Sequence, residues 1–183
     1  MLTALKSLET SRRGQPDGLP RAVIFDRDGV LIKDVGFPYR LDQLQWIDGA
    51  LALLRELRTA KVMVFVATNQ SGVARGMFGI SDVEKFNAEM CAQARAAGGL
   101  ITKIEYCPHL PSGTNAPFNI DCSCRKPKPG MLFSLLRCFN LHPDETLMIG
   151  DRESDVVAAA AAGISGARFP GGNLQAFFWG YGK

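Results

Sequence analysis

The sequence carries little excess charge and has no long hydrophobic stretch. Its 21 basic residues (lysine and arginine) exceed its 18 acids by three, so the net charge is +3 over 183 residues. Such a balance argues against nucleic acid as a partner, including a repair activity on nucleic-acid ends. No apolar run reaches the ~20 residues of a membrane span, which argues against a membrane partner. The start of the chain also lacks the layout of a signal peptide. We expect a cytoplasmic protein with a flexible leader at residues 1–20 and a single domain at residues 21–183.

Cysteine and histidine are scarce, and most of them are concentrated in one segment. The chain has five cysteines, an odd number, and two histidines. Their uneven spacing does not suit a disulfide framework, and clustered cysteines in a reducing compartment indicate a metal. Three thiolates and one imidazole form a closed tetrahedral zinc set, which favours a structural over a catalytic ion. We therefore predict a zinc loop at residues 107–124, with the ligands Cys107, His109, Cys122 and Cys124. Four unrelated residues are the alternative. Cys91 and Cys138 are interpreted as buried small hydrophobes.

Short apolar runs alternate with segments of helical periodicity along the chain. Runs such as AVIF, VMVFVA and TLMIG have the length and β-branched content of buried strands. Ser81 is a candidate N-cap for the helix after the second strand. The alternation predicts an α/β fold with a doubly wound, Rossmann-like parallel sheet and right-handed crossovers. No insertion is large enough for a cap domain.

Polar residues directly follow three of the predicted strands: Asp26 and Asp28, Thr68 and Asn69, and Asp151 and Asp155. The C-terminal edge of an open parallel sheet is where ligands bind. Neighbouring acids repel each other unless a cation lies between them, and oxygen ligands suit magnesium. A carboxylate there would attack phosphorus, and a second would serve as acid and base. Taken singly, each motif is more typical of a solvated turn or a helix start, so the prediction depends on their order.

Four motifs, FDRDGV, VATNQSG, CRKPKPG and IGDRESD, resemble in this order those of the haloacid dehalogenase superfamily of phosphatases. The resemblance extends over residues 21–169. It implies a magnesium-dependent phosphatase with an aspartyl-phosphate intermediate, in which Asp26 is the nucleophile and Asp28 the general acid and base. It further implies that Thr68 and Lys126 stabilise the phosphoryl group. The implied magnesium ligands are Asp26, Asp28 through its backbone carbonyl, and Asp151, with Asp155 acting through water. Val30 departs from the threonine usual in the family.

The Cys/His loop resembles two groups within this superfamily, the D,D-heptose 1,7-bisphosphate phosphatases and the histidinol-phosphate phosphatases. The strings NQSGVARGMF, CRKPKPGM and DVGFPY favour the heptose group. They imply removal of the 7-phosphate from D-glycero-D-manno-heptose 1,7-bisphosphate, in the synthesis of bacterial surface polysaccharide precursors. Ile32 and Arg152 depart from the asparagine and lysine usual in that group. The residues implied to face the substrate are Arg27, Asp34, Val35, Gly36, Phe37, Asn69, Gln70, Ser71, Arg125 and Arg152.

Two alternatives stay open beside the heptose phosphatase. Histidinol phosphate would require an acidic or aromatic pocket, which the many basic residues disfavour. A non-catalytic phosphate-binding scaffold is disfavoured because Asp26 and Lys126 are both present. We expect a small phosphorylated sugar as the partner and a monomer or weak homodimer. Candidates for holding the distal phosphate are Arg75, Arg125, Lys128 and Arg152.

Overall fold

The computed structural model describes residues 18–181, which are built around one parallel sheet. The strands are β1 (Ala22–Phe25), β2 (Met63–Asn69), β3 (Lys103–Cys107), β4 (Thr146–Gly150) and β5 (Ser165–Arg168). Their order is β3-β2-β1-β4-β5, and each neighbouring pair is parallel. The predicted doubly wound fold is therefore confirmed. Most of the predicted leader lies outside the described residues.

Five helices cover the two faces of the sheet. Helices α1 (Ala50–Thr59), α2 (Ile80–Ala96) and α5 (Leu174–Gly180) pack on one face, and α3 (Gly130–Cys138) and α4 (Glu153–Ala161) pack on the other. Each face of the sheet has its own hydrophobic core, and strand β1 contributes residues to both. Val23 and Phe25 belong to the first core, and Ala22 and Ile24 to the second, because alternate strand residues point to opposite faces. No helix between residues 18 and 181 has both the length and the apolar character needed to span a membrane.

The alanine run of α4 lets this helix lie close to the sheet. Ala158 and Ala159 are fully buried. A Cβ atom added to Gly166 on β5 would lie only 3.1 Å from the Ala159 Cβ, so small residues are needed on both sides of this contact. The small side chains of this run therefore allow the close packing of α4 on the sheet.

Two local predictions need correction. Helix α2 begins at Ile80, and the Asp82 carboxylate accepts the Gly79 N–H at 2.8 Å, so Ser81 is not its cap. Cys138 is exposed and Cys91 half-buried, so neither is the buried hydrophobe we expected. The segment after β5, for which no prediction was made, forms α5.

Candidate active site

The carboxyl ends of β1 and β4 lie side by side at the point where the strand order reverses. The chain passes from β1 outward to β2 and β3, and then returns to β4 on the other side of β1. Ligands bind at such a switch point in open α/β sheets. Asp26 directly follows β1, and its N–H donates to the Ile149 carbonyl at 2.9 Å. Asp151 directly follows β4, so the topology itself brings these two acids to one crevice.

Three carboxylates converge in this crevice. Oxygens of Asp26, Asp151 and Asp155 all lie within 4.8 Å of one another. Burial raises the pKa of Asp151 and of Asp155, and the neighbouring Asp26 carboxylate raises both further. The buried Oδ1 of Asp151 has no hydrogen-bond partner among the described residues. Crowded acids and an unpartnered carboxylate oxygen fit a hard divalent cation.

Gly29 allows the turn after β1 to approach Asp151 closely. Its φ of +84° is in the left-handed region, and a Cβ at this position would lie 2.5 Å from the Asp151 Oδ2. A side chain would therefore strain the backbone and displace the Asp151 carboxylate. The glycine of the first motif is required by the geometry of the acid cluster.

Lys126 lies against the same acids. Its Nζ is 3.0 Å from the Asp26 Oδ1 and 2.6 Å from the Asp155 Oδ1. It also donates to the Ala67 carbonyl at 2.6 Å. Burial by itself lowers the pKa of Lys126, but the two carboxylates outweigh that effect and the pKa is raised. Lys126 is therefore a fixed positive charge in the crevice.

The predicted zinc ligands form one compact cluster at the end of β3. Their ligand atoms lie within 4.8 Å of one another. The Cys124 Sγ is 3.1 Å from the Cys107 Sγ and 3.3 Å from the Cys122 Sγ, and the His109 Nδ1 is 3.3 Å from the Cys124 Sγ. Tetrahedral zinc with thiolates at ~2.3 Å has sulfur–sulfur edges of roughly 3.8 Å, so the cluster is close to the required size. The donor set fits zinc. Burial raises the pKa of the Cys107 thiol, which would resist ionisation without a cation.

The cluster borders the crevice through the backbone. The guanidinium of Arg125, directly after Cys124, donates to the His109 carbonyl at 3.1 Å. Cys107 is paired with Asn69 in the sheet register, and its carbonyl accepts the Gln70 N–H at 2.7 Å. The loop that carries Lys126 is thus bonded to the segment after β3, and the end of β3 is in turn paired with the end of β2.

The crevice opens into a cavity of about 330 Å³. Most predicted site residues line it, namely Asp26, Asp28, Asp34, Gly36, Phe37, Thr68, Asn69, Ser71, Arg125, Lys126 and Arg152. Three predicted substrate-facing residues, Arg27, Val35 and Gln70, are not among the lining residues. Ser154 and Asp155 do line the cavity, although Ser154 was not predicted and Asp155 was expected to act only through water. The signal for both is their place in the first turn of a helix that starts at the sheet edge.

The rim combines an ion pair with exposed apolar side chains. The Arg152 Nη2 lies 2.9 Å from the Asp34 Oδ2, which connects the loop after β4 with the loop after β1. Phe37 is 38% exposed, and the Arg75 guanidinium carbon lies 5.5 Å from the centre of its ring. Of the four candidates for the distal phosphate, Arg125 and Arg152 line the cavity, whereas Arg75 and Lys128 do not. The exposed Lys128 instead pairs with Asp121.

Known proteins resemble this chain in sequence and in structure. The family model described as HAD-hydrolase-like matches residues 123–175. The D-glycero-beta-D-manno-heptose-1,7-bisphosphate 7-phosphatase of Rhodopseudomonas palustris is 39% identical over 156 residues, which cover 85% of this chain and 87% of the relative. The enzyme of the same name from Escherichia coli K12 is 36% identical over 143 residues, which cover 78% and 75% of the two chains. A crystal structure of D,D-heptose 1,7-bisphosphate phosphatase from B. bronchiseptica, complexed with magnesium and phosphate, has a TM-score of 0.75 and 32% identity. That match covers 88% of this chain and 87% of the other.

The sheet topology and the acids at its switch point are those of a hydrolase of the haloacid dehalogenase type. The relatives extend the match from the motifs to most of the chain. The chain belongs to the haloacid dehalogenase-like phosphatases, in the family that includes these heptose bisphosphate enzymes.

Proposed function

We propose that the protein removes the 7-phosphate from D-glycero-D-manno-heptose 1,7-bisphosphate. The observation that carries this proposal is the charge distribution within one cavity. Lys126, together with a cation held by the acid cluster, would suit one phosphate, and Arg125 and Arg152 suit a second. Polar groups of Asp34 and Ser71 line the same cavity and suit sugar hydroxyls. The names of the curated relatives support the same substrate.

The chemistry assigned to the chain has two steps. In the first, an oxygen of Asp26 bonds to phosphorus while the bond from phosphorus to the ester oxygen breaks. The proton of the Asp28 carboxyl moves to the departing oxygen, which leaves as an alcohol. In the second, water attacks phosphorus and gives a proton to Asp28. The bond to Asp26 then breaks, and inorganic phosphate leaves.

Thr68 and Lys126 are placed to stabilise the phosphoryl group during both steps. The Thr68 Oγ1 accepts a hydrogen bond from the Gln70 Nε2 at 3.0 Å, which leaves its own proton free to donate into the cavity. Lys126 supplies a buried positive charge beside Asp26. Fixed donors of this kind stabilise the negative charge on the phosphoryl oxygens without needing to reorganise.

Two metal ions belong to this proposal. Magnesium would be held by Asp26 and Asp151, with the Asp28 backbone carbonyl as a further ligand and Asp155 beside it. When bound, it would neutralise charge on the phosphate oxygens. Zinc would be held by the four Cys/His ligands in a structural role, and would fix the loop that leads to Arg125 and Lys126.

Phosphate release with magnesium tests the proposal, with heptose 1,7-bisphosphate and histidinol phosphate compared side by side. We expect a clear preference for the heptose, heptose 1-phosphate as the product seen by phosphorus NMR, and no release by Asp26→Asn. Preference for histidinol phosphate would overturn the substrate assignment and keep the mechanism. Equal activity of Asp26→Asn and wild type would overturn the mechanism.

A further inference from the structure

Arg27 lies between the two acids of the first motif, yet its side chain points away from the cavity. It is fully buried, at 0% exposure, and is the largest of the fully buried side chains. Its guanidinium lies 4.7 Å from the centre of the Phe86 ring on α2. A buried guanidinium is costly unless acceptors meet it, so its partners indicate what it does.

Those partners converge on Asp28. The Arg27 Nε donates to the Asp28 Oδ1 at 2.9 Å, and the Nη2 lies 3.3 Å from the Oδ2. The Gln70 Nε2 donates to the same Oδ2 at 2.8 Å, and the Gln70 Oε1 in turn accepts from the Arg27 Nη2 at 2.8 Å. Both oxygens of Asp28 are thus held by a planar fork and an amide that are themselves bonded to each other.

The Arg27 guanidinium is also held by partners other than Asp28 and Gln70. The Arg27 Nη1 donates to the Asn87 Oδ1 at 2.9 Å, and the Nη2 donates to the Pro38 carbonyl at 2.9 Å. Asn87 belongs to α2, and Pro38 to the loop after β1. The guanidinium therefore cannot turn without breaking bonds to two separate parts of the fold, and its orientation determines that of Asp28.

We propose that Arg27 is a positioning residue for Asp28, and not a contact for the substrate. The proposal depends on the acid and base role assigned to Asp28 under the proposed function. Acid catalysis requires the carboxyl to meet the departing oxygen at a hydrogen-bonding distance and angle. The buried fork restricts rotation of the Asp28 carboxyl and so preserves that alignment. Asn87 and Phe86, which contact the Arg27 guanidinium, belong to α2. This helix contributes no residue to the lining of the cavity.

The leaving group distinguishes positioning from simple support of the loop. A sugar alkoxide needs a proton as it departs, whereas p-nitrophenolate leaves readily without one. Arg27→Met should therefore slow the first turnover of a sugar phosphate by about 10²-fold, the lower range for loss of general acid catalysis. The release of p-nitrophenol from p-nitrophenyl phosphate should slow by less than about threefold, because that step makes little use of the acid. Both rates come from rapid-quench experiments under single-turnover conditions, with magnesium present.

A double-mutant cycle gives the second readout. If Arg27 acts through Asp28, adding Arg27→Met to Asp28→Asn should slow the sugar phosphate no further, because the group it positions is already lost. Arg27→Lys keeps the charge but not the fork, so it should give an intermediate rate. It also replaces Arg27→Met in both experiments if the methionine variant does not fold, as judged by thermal unfolding.

Three results would overturn the proposal: equal slowing of both substrates, additive losses in the double mutant, or wild-type rates in Arg27→Met. A protein that cleaves other sugar phosphates but not the heptose would fail the proposed substrate only. The Arg27 comparison would then be made with the sugar phosphate that is cleaved.

Discussion

The side-chain amide of Asn69 holds the backbone of Lys126 from both sides. Its Nδ2 donates to the Lys126 carbonyl at 3.0 Å, and its Oδ1 accepts the Lys126 N–H at 3.1 Å. Asn69 ends β2, so the sheet itself sets the position of the lysine that lies against Asp26. Asn69 lines the cavity, but these bonds give it a second role in placing Lys126.

Replacing this amide should reduce the rate as well as the stability. We expect Asn69→Leu to lower the free energy of unfolding by about 1–3 kcal/mol, since two partly buried bonds are lost. It should also lower kcat by about 10-fold, since each 1.4 kcal/mol of lost transition-state stabilisation is tenfold. Asn115→Leu is the matched control. The Asn115 Nδ2 donates to the Val73 carbonyl at 2.9 Å, and neither residue lines the cavity. The control should lose stability and keep kcat. A normal kcat in Asn69→Leu would contradict the role in placing Lys126.

Removing the charge of Lys126 should strengthen magnesium binding while it abolishes activity. Lys126→Met leaves Asp26 and Asp155 without their cation, and breaking a buried pair in this way costs about 3–5 kcal/mol of stability. A divalent ion would then neutralise more of the unbalanced charge. Isothermal titration with magnesium should show a lower Kd for the variant than for wild type. Lys128→Met, which removes an exposed lysine, should leave Kd and kcat unchanged. A Kd in Lys126→Met equal to that of wild type would show that the lysine does not compete with the ion.

The cysteines should divide into two classes when alkylated. We expect iodoacetamide to modify the exposed Cys138 first and the half-buried Cys91 more slowly, since burial raises the pKa of the Cys91 thiol. Cys107, Cys122 and Cys124 should react only after a chelator has removed the metal. Mass spectrometry of the modified peptides measures this order. Modification of the three ligands at equal rates with and without the chelator would contradict the zinc site.

A pair of single substitutions tests the same cluster by metal content. Cys124→Ser should lower zinc affinity by at least about 10-fold, because mutating even a residue that only hydrogen-bonds to a metal ligand lowers affinity by that much. Phosphatase activity should fall with it, since the loop leads to Lys126. Cys138→Ser, a matched change on α3, should keep full zinc content and activity. Full zinc content in Cys124→Ser would rule out its role as a ligand.

The buried acid Asp28 should make stability depend on pH. Burial raises the pKa of Asp28, although Arg27 beside it acts in the opposite direction. The folded state therefore holds this proton above the unfolded pKa of about 3.9, and stability is lost as pH rises through the folded pKa. Asp28→Asn has no such proton. In magnesium-free buffer, its free energy of unfolding should increase relative to wild type as pH rises from 4. A constant difference between the two proteins would contradict the raised pKa.

The acid cluster could be predicted from the sequence because the sheet topology determines where its residues lie. Asp26, Thr68 and Asp151 each follow a buried strand, and parallel strands bring their carboxyl ends to one edge. The Cys/His cluster was equally predictable as a cluster, since its residue types and spacing limit the possible geometry. Both predictions depend on backbone position, which the strand pattern determines.

Side-chain direction is what the sequence left open. The resemblance implied that Arg27 faces the substrate, but its guanidinium is buried against α2. Its partner Asn87 lies in the middle of an amphipathic helix, where no local motif marks it. Helix α5 was not predicted for a related reason. It is held by hydrogen bonds from Gln175 and Trp179 to Glu56 on α1, at 2.6 and 2.7 Å. Such long-range partners become visible only when the fold is known.

With zinc bound, the Cys/His cluster would close the segment between His109 and Cys122 into a ring whose two ends are fixed. Inside this segment, Asn115 donates to the Val73 carbonyl at 2.9 Å, so its middle is held to the loop after β2. In the exposed residues 119–121, a change in length alters mainly the entropy of closing the ring, and doubling the length of a flexible loop costs only about 0.6 kcal/mol. Residues 119–121 can therefore be lengthened or replaced without moving Lys126. Variation in this part of the surface is thus separated from the reaction centre, because none of residues 110–121 lines the cavity.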